Sequence, residues 1–363
     1  MGRSERAIRP SAEGWVGVGG GGRASGDAGR DTALAAAIPR RAGGAFRVHR
    51  ERRLAYHRVH GASESASPEV STLSRVVVVG GSGFLGSHLA EALSESGHSV
   101  AVLDRMRSRW LRPDQEMVVG DLLDPASVRA AVAGASVVYN LAGIADLDDA
   151  STKPIDTIRL NIEGNGNVLE ACRLEGVRRF VYASTIYVYS PRGGFYRCSK
   201  QAAESYIEEY QARFGLEFTI LRYGTLYGPR ADHRDSIYRY LREALVERRI
   251  THGGAGEEMR EYVHVRDAAR LSVEVLGEAY RNKHVIVTGH YPMKFRHFLK
   301  KIREIGGYVE LVGTGDVSNP NHYSLTPYSF LPKIGQKLAA SCYTDLGQGL
   351  LECLHEIHEH VKR

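Results

Sequence analysis

Cysteine is scarce in this chain: the four in 363 residues, Cys172, Cys198, Cys342 and Cys353, form no C-x-x-C pair and are too few to staple a chain of this length. A disulfide scaffold is therefore excluded, and a reduced, cytoplasmic setting is expected. No stretch approaches the roughly 20 uninterrupted apolar residues of a membrane span, so no membrane partner is expected. A basic body is also lacking. The formal charge of +6 resides almost wholly in residues 1–73, which hold 12 Arg, no Lys and 7 acids, whereas the remaining 290 residues hold 36 basic and 35 acidic side chains. That body has no electrostatic footprint for nucleic acid. What is present, 43% hydrophobic and 25% charged residues, is ordinary for a globular protein. At roughly 150 residues per domain, the length allows two domains or one large α/β unit with a tail.

Residues 1–73 are rich in Gly, Ala and Arg, with runs such as GVGGGG and no sustained period of 3.6 or 2. Such a segment buries too little apolar area to offset chain entropy, so disorder is expected. Its seven acids argue against an organellar targeting peptide, and a nonfunctional extension is the favoured reading. From Ser74 the pattern changes to RVVVVGGSGFLGSHLAEALSESGHSVAVLDR, an apolar run, a glycine cluster, an amphipathic stretch with leucines four apart and a second apolar run. That is a βαβ unit. Further strands are expected near 116–119, 136–140, 178–184 and 217–223, with helices near 125–133, 155–175 and 194–214. The alternation predicts a Rossmann-type doubly wound parallel sheet over 74–223. After Gly224 the rhythm breaks, with helices expected near 235–248, 266–279, 294–305 and 345–361. Residues 224–363 are expected to be mainly a smaller, discontinuous substrate-binding subdomain with segments returning to the core.

Two motifs carry chemistry. Gly80, Gly83 and Gly86 punctuate the turn from strand to helix, with Phe84 and Leu85 at the helix start. Glycines at these positions permit a tight turn, bring backbone N–H groups against a pyrophosphate and let the helix, with its positive N-terminal end, pack close to the sheet. Asp104, 18 residues beyond Gly86 at the end of the next strand, suits hydrogen bonding to adenosine ribose hydroxyls and repels a 2′-phosphate, which favours NAD over NADP. Arg105, Arg107 and Arg109 stand beside it, either as phosphate partners or as a solvated loop. The second motif is Tyr196-Arg197-Cys198-Ser199-Lys200. Residues four apart share a helix face, so Lys200 is expected to lower the Tyr196 pKa and make the phenol a usable acid/base. With 19 tyrosines and 9 lysines the composition alone gives about half a match to this spacing. The single match found follows Thr185, a suitably placed hydroxyl, by 11 residues.

From about Ser74 onward the chain resembles the extended short-chain dehydrogenase/reductase superfamily and, within it, the NAD-dependent nucleotide-sugar epimerase/dehydratase family. The resemblance rests on GGSGFLG (80–86), VLD (102–104), GDL (120–122), NLAG (140–143), Asn161 with Gly164, ASTIYVYS (183–190), YRCSK (196–200) with Glu204, LRYGTLYGPR (221–230) and REYVHVRDAA (260–269). It implies NAD as cofactor, with Asp121 and Leu122 at the adenine and Ala142 and Asn161 along the dinucleotide. It further implies Thr185 on the substrate hydroxyl, Tyr196 as base, Lys200 on the nicotinamide ribose and Arg260 facing a nucleoside diphosphate. The implied reaction is reversible oxidation of a nucleoside-diphosphate sugar, with 4-epimerisation as the leading reading and a homodimer as a candidate assembly. A dehydrogenase or reductase that releases its product, and a noncatalytic dinucleotide-binding protein, are the alternatives.

The chain departs from the family pattern in places. Thr225 stands where Asn commonly contacts the sugar diphosphate, the linker SPRGGF (190–195) is short, and Ala183 and Ser190 replace Ser and Gly. Ile186 and Tyr187 occupy the positions from which family dehydratases draw acidic side chains, so a 4,6-dehydratase is not expected. Arg222 is read as one half of a structural ion pair and Cys198 as a helix-packing residue. His355, His358 and His360 are read as a solvated helix face, and no metal site is indicated.

Overall fold

The computed structural model describes residues 74–254, 256–313, 336–339 and 341–362. The segment 1–73, for which disorder is expected, lies outside the described residues.

Strand β1 (Arg75–Val79) is four consecutive valines after one arginine, all four buried, because both faces of a central parallel strand are covered. Helix α1 (Phe84–Glu95) leads to β2 (Ser99–Asp104) and, after a loop, β3 (Glu116–Val119). Helix α2 (Pro125–Val132) starts with proline at its first turn and with the Asp124 carboxylate accepting from Ala126 N, and it leads to β4 (Val137–Asn140). The helix expected at 155–175 is present as one helical run that contains a π turn and is preceded by a further short helix. Helix α3 (Leu147–Thr152), opened by the Asp146 cap, and α4 (Pro154–Ile158) are separated by Lys153 in a nonhelical conformation. A π turn, Arg159–Glu163, then joins α4 to α5 (Gly164–Leu174). Strand β5 (Arg179–Thr185), helix α6 (Gly194–Phe214) and β6 (Glu217–Tyr223) follow as the periodicity predicts.

Beyond β6 come β7 (Thr225–Tyr227), α7 (Ser236–Arg242), β8 (Arg249–His252), β9 (Met259–Arg260), β10 (Tyr262–His264) and α8 (Val265–Glu274). Helix α7 passes into a π turn, and the chain leaves it at Arg248 with φ 53°; α8 also stops short of the expected 279. Strand β11 (Lys283–Val287), β12 (Met293–Lys294), α9 (Phe295–Gly306), β13 (Glu310–Gly313), β14 (Gln336–Leu338) and α10 (Leu346–Val361) complete the described chain.

The large sheet runs in the order β14-β11-β6-β5-β4-β1-β2-β3, and every pairing is parallel. Strands β11 and β14 are additional to those expected from the sequence pattern, which loses its regular alternation after Gly224. The order reverses between β1 and β4, which opens a crevice at their carboxyl ends where a ligand can sit. One apolar layer packs α2, α5 and α6 on the sheet, and a second packs α1 and α8 on its other face. A third cluster joins α7, α9 and α10 away from the sheet. Three small two-stranded pairings, β7 with β10, β9 with β12 and β8 with β13, organise that C-terminal part. The histidine reading is corrected in part: His355 and His360 are exposed, but His358 lies on the inward side of α10 and is buried.

Candidate active site

The turn after β1 is built by close approach. Gly80 has φ 81°, and a methyl group on it would lie 2.7 Å from Ala142 N, so the loops after β1 and β4 touch through backbone alone. A methyl on Gly86 would lie 2.2 Å from Gly80 O, which leaves glycine as the residue that lets α1 rise so close to the turn. Gly83 offers no side-chain cap, and no acid stands in the first turn of α1, so the N-terminal N–H groups at Phe84 and Leu85 face an uncompensated, anion-attracting end. Asp104, at the tip of β2, accepts from Ser82 N through one carboxylate oxygen and from Met106 N through the other, each at 3.1 Å. The acid is thus fixed beside the glycine turn and half exposed, with lone pairs left for hydroxyl donors. Arg105, Arg107 and Arg109 are all exposed on the loop that follows.

Further along the crevice, Asp121 is exposed and its carboxylate accepts from Leu123 N at 2.9 Å, while Leu122 is buried and its carbonyl accepts from Asn167 Nδ2 at 3.1 Å. Asn140 accepts from Ala142 N at 3.2 Å and donates to Asn165 Oδ1 at 2.9 Å, which fixes the loop bearing Ala142. Asn161 sits in the π turn and is buried. Its amide donates to Ile144 O and Ser199 Oγ, both at 2.9 Å, and accepts from Ile144 N at 2.7 Å. Its two donors are therefore engaged with protein, and Asn161 clamps the 141–145 loop to α6. The π turn, with its extra residue per turn, presents Asn161 to that loop.

Thr185 ends β5 and is buried, with Tyr187 N donating to its hydroxyl at 3.3 Å. Tyr196, in the first turns of α6, is buried and hydrogen-bonds the Thr185 hydroxyl. Lys200 is one turn further on, also buried, and donates from Nζ to Ala183 O at 2.8 Å. Thr185, Tyr196 and Lys200 are therefore brought together where β5 meets α6. The electrostatics correct one expectation. Burial pushes the Tyr196 phenol up to about 12, with the Thr185 hydrogen bond acting the other way, and burial pulls the Lys200 ammonium down to about 8. Lys200 is 5.9 Å from the centre of the Tyr196 ring and aimed at a backbone carbonyl, so its charge does not overcome desolvation of the phenol.

The short linker folds compactly: Ser190 Oγ accepts from Arg192 N at 2.9 Å, and Ser190 O accepts from the Arg197 guanidinium at 3.1 Å. Ile186 is buried, and the Tyr187 ring meets Tyr196 edge-on at 6.3 Å. Thr225 is half-buried on β7, its N–H donating to Glu261 O at 3.2 Å. Arg260 is buried, with Glu258 at 3.6 Å and its guanidinium over the Phe295 ring at 4.6 Å. Arg222 behaves as expected, held by Glu204 at 2.6 and 3.0 Å and bonded to the Tyr189 hydroxyl. Cys198 does not pack in the helix interface. It is exposed, because α6 turns positions 196, 199, 200 and 203 inward and leaves 198 outward. Sequence reasoning passed over Tyr182, whose ring lies against Lys200. The strand alternation in RFVYAST, which turns Phe180 and Tyr182 to one face of the sheet, was the available signal.

A parallel sheet with a glycine turn, an acid fixed beside that turn at the tip of β2 and a buried Thr–Tyr–Lys group defines a dinucleotide-dependent enzyme architecture. The chain belongs to the NAD dependent epimerase/dehydratase family, whose model matches residues 76–289. Among curated proteins it is 30% identical over 230 residues to a UDP-N-acetyl-alpha-D-glucosaminuronate decarboxylase of Bacillus cytotoxicus, covering 56% of this chain and 71% of that one. It is 33% identical over 220 residues to a 3-diazoavenalumate denitrifying reductase of Streptomyces, covering 55% and 71%. Among solved structures, the UDP-glucose 4-epimerase of Thermus thermophilus in complex with NAD superposes with a TM-score of 0.66 at 26% identity, over 78% of this chain and 99% of that one. Among the described residues no helix is long and apolar enough to cross a membrane, and no group of three or more metal-binding side chains occurs.

Proposed function

We propose that the chain epimerises a nucleoside-diphosphate sugar at carbon 4. The observation that carries this reading is the buried Thr185–Tyr196 hydroxyl pair beside Lys200, with no carboxyl group at positions 186 and 187. NAD, when bound, supplies the acceptor and donor of hydride. The turn at Gly80–Gly86 would hold its pyrophosphate, Asp104 its adenosine ribose and Lys200 its nicotinamide ribose. Thr185 orients the sugar hydroxyl, and Tyr196 takes its proton and later returns it. Because a phenol is protonated at neutral pH even at its ordinary pKa and burial raises this one further, the proton transfer requires positive charge near its oxygen in the assembled site, to which the Lys200 ammonium contributes. Arg260 is assigned to the diphosphate and Thr225 to the sugar side. In this reading residues 74–223 form the NAD-binding part and 224–363 mainly the substrate-binding part.

Elimination of water needs a base and an acid beyond this pair, and neither buried Ile186 nor Tyr187 supplies a carboxyl group. A second reading, reduction of a different small carbonyl compound, is favoured by the compact 190–195 linker, which leaves less wall for a sugar pocket. The test is incubation with a panel of nucleoside-diphosphate sugars, with NADH absorbance and product mass followed together. An isomer formed without net NADH change supports epimerisation. A product lighter by carbon dioxide or by water assigns a decarboxylase or a dehydratase instead, and no turnover of any sugar nucleotide alongside NADH oxidation by other carbonyl compounds selects the reductase.

A further inference from the structure

We propose that Tyr182 is a positioning residue that holds the Lys200 ammonium in place through the face of its ring. The inference rests on the proposed contact of Lys200 with the nicotinamide ribose. Tyr182 is 1% exposed in the middle of the sheet, and Nζ of Lys200 stands 4.6 Å from its ring centre, closer than to the ring of Tyr196. Phe180, two residues earlier on the same face of β5, stacks on Tyr182 at 6.3 Å with 19° between the planes and so sets the ring's tilt. An ammonium has three N–H directions. The Ala183 carbonyl takes one and the Tyr182 face takes another, which leaves one for the proposed ribose contact.

As a core residue alone, Tyr182 is a poor choice. Its hydroxyl is buried and has no hydrogen-bond partner among the described residues, a costly arrangement that phenylalanine would avoid. What the ring provides is a negative face against a desolvated cation, where such contacts are strongest. The charged and titratable groups around Lys200 are Tyr196 and Glu204 on its own helix, Tyr182 from β5 and Arg222 from β6, the last already paired with Glu204. Asn161 of the π turn reaches α6 through the Ser199 hydroxyl, a neutral contact. Burial draws the ammonium toward its neutral form and Glu204 opposes this, so the ring face is a further source of stabilisation for the charge.

The test reads NADH binding by fluorescence between about pH 6.5 and 9.5, independently of any sugar, with the pKa scale converting a weakened cation–ring contact into a shifted midpoint. In the parent protein, binding weakens as Lys200 loses its proton, and Lys200→Met abolishes that dependence. In Tyr182→Leu the midpoint of the alkaline loss moves down by about half a unit to one unit, so that affinity near pH 8.5 falls about 3- to 10-fold while affinity near pH 6.5 stays within about twofold. Tyr182→Phe keeps the ring face, so its midpoint stays at the parent value and its thermal midpoint rises with removal of the orphaned hydroxyl. An unmoved midpoint in Tyr182→Leu overturns the proposal, as does a shift in Tyr182→Phe as large as that in Tyr182→Leu. Tyr182→Met, closer in volume, takes the place of the leucine variant if that one does not fold. A pH dependence that survives in Lys200→Met has a different meaning: it removes Lys200 from the cofactor and with it the reading on which the proposal stands.

Discussion

The proposed cofactor half of the crevice and the proposed substrate half are held together in different ways. In the first, the loops meet through backbone at Gly80 and Ala142, Asp104 is bound by two N–H groups, and Asn140 and Asn161 use their amides on neighbouring loops. In the second, Arg260 has its carboxylate partner Glu258 at 3.6 Å and rests on an aromatic face, while β9, β10 and β12 contribute two- and three-residue pairings. A site that must present backbone donors to one invariant ligand is fixed by close approach, which tolerates little change. A site that adapts to different substrates relies on side chains, which are readily exchanged. The sequence accordingly reads clearly for the dinucleotide and less clearly for the sugar.

The largest expected contrast is between the two carboxylates that serve buried arginines. Glu204→Ala leaves the Arg222 guanidinium buried without its bidentate partner and should cost about 3–5 kcal/mol, read from the urea midpoint. Glu258→Ala removes a longer and more exposed pairing and should cost about 1 kcal/mol or less. Equal losses would show that the two halves do not differ in how tightly charge is held. The joint between them gives the next test. His88 on α1 bonds the Pro229 carbonyl at 3.0 Å, and burial lowers its pKa to about 4. The folded state therefore resists protonating it, so stability is full above about pH 6.5 and falls as the pH drops toward about 4, by up to about 3 kcal/mol. Urea midpoints across that range should fall less steeply in His88→Gln.

Within the reaction centre, Tyr196→Phe removes the titratable oxygen and little else. Turnover should drop roughly 100-fold or more while NAD affinity is unchanged by titration. Retained turnover would take Tyr196 out of the proton transfer. The smallest expected effect is at Asp104. Its replacement by Ala should weaken NAD and narrow the NAD-to-NADP preference by roughly tenfold, measured from the two dissociation constants. A preference that does not move would place the discrimination on the exposed arginines of the following loop.

Local pattern sufficed wherever structure is set by neighbours in the chain. The valines of β1, the glycine turn, the length of α6 and the spacing that puts Tyr196 and Lys200 on one face all follow from periodicity and steric freedom over a few residues. It failed where a distant element decides. Strands β11 and β14 lie beyond the regular strand–helix alternation, and each is placed by the neighbour it pairs with, β6 for β11 and β11 for β14. The outward direction of Cys198, the π turn inside the 155–175 helix and the inward turn of His358 depend on what the rest of the chain packs against.

The sequence by itself determined the alternation of strands and helices from β1 to β6, the place where a dinucleotide phosphate can be cradled and the residue types available for proton transfer, because each is a property of short stretches. The tertiary structure alone decided that Asn161 clamps a loop, that Arg222 and Glu204 neutralise each other, that burial raises the Tyr196 phenol above its ordinary pKa and that the Lys200 ammonium lies on the ring of Tyr182. Those outcomes depend on burial and on partners brought from far along the chain, and desolvation, the largest influence on Tyr196 and Lys200, does not exist until the sheet and helix α6 have closed over them.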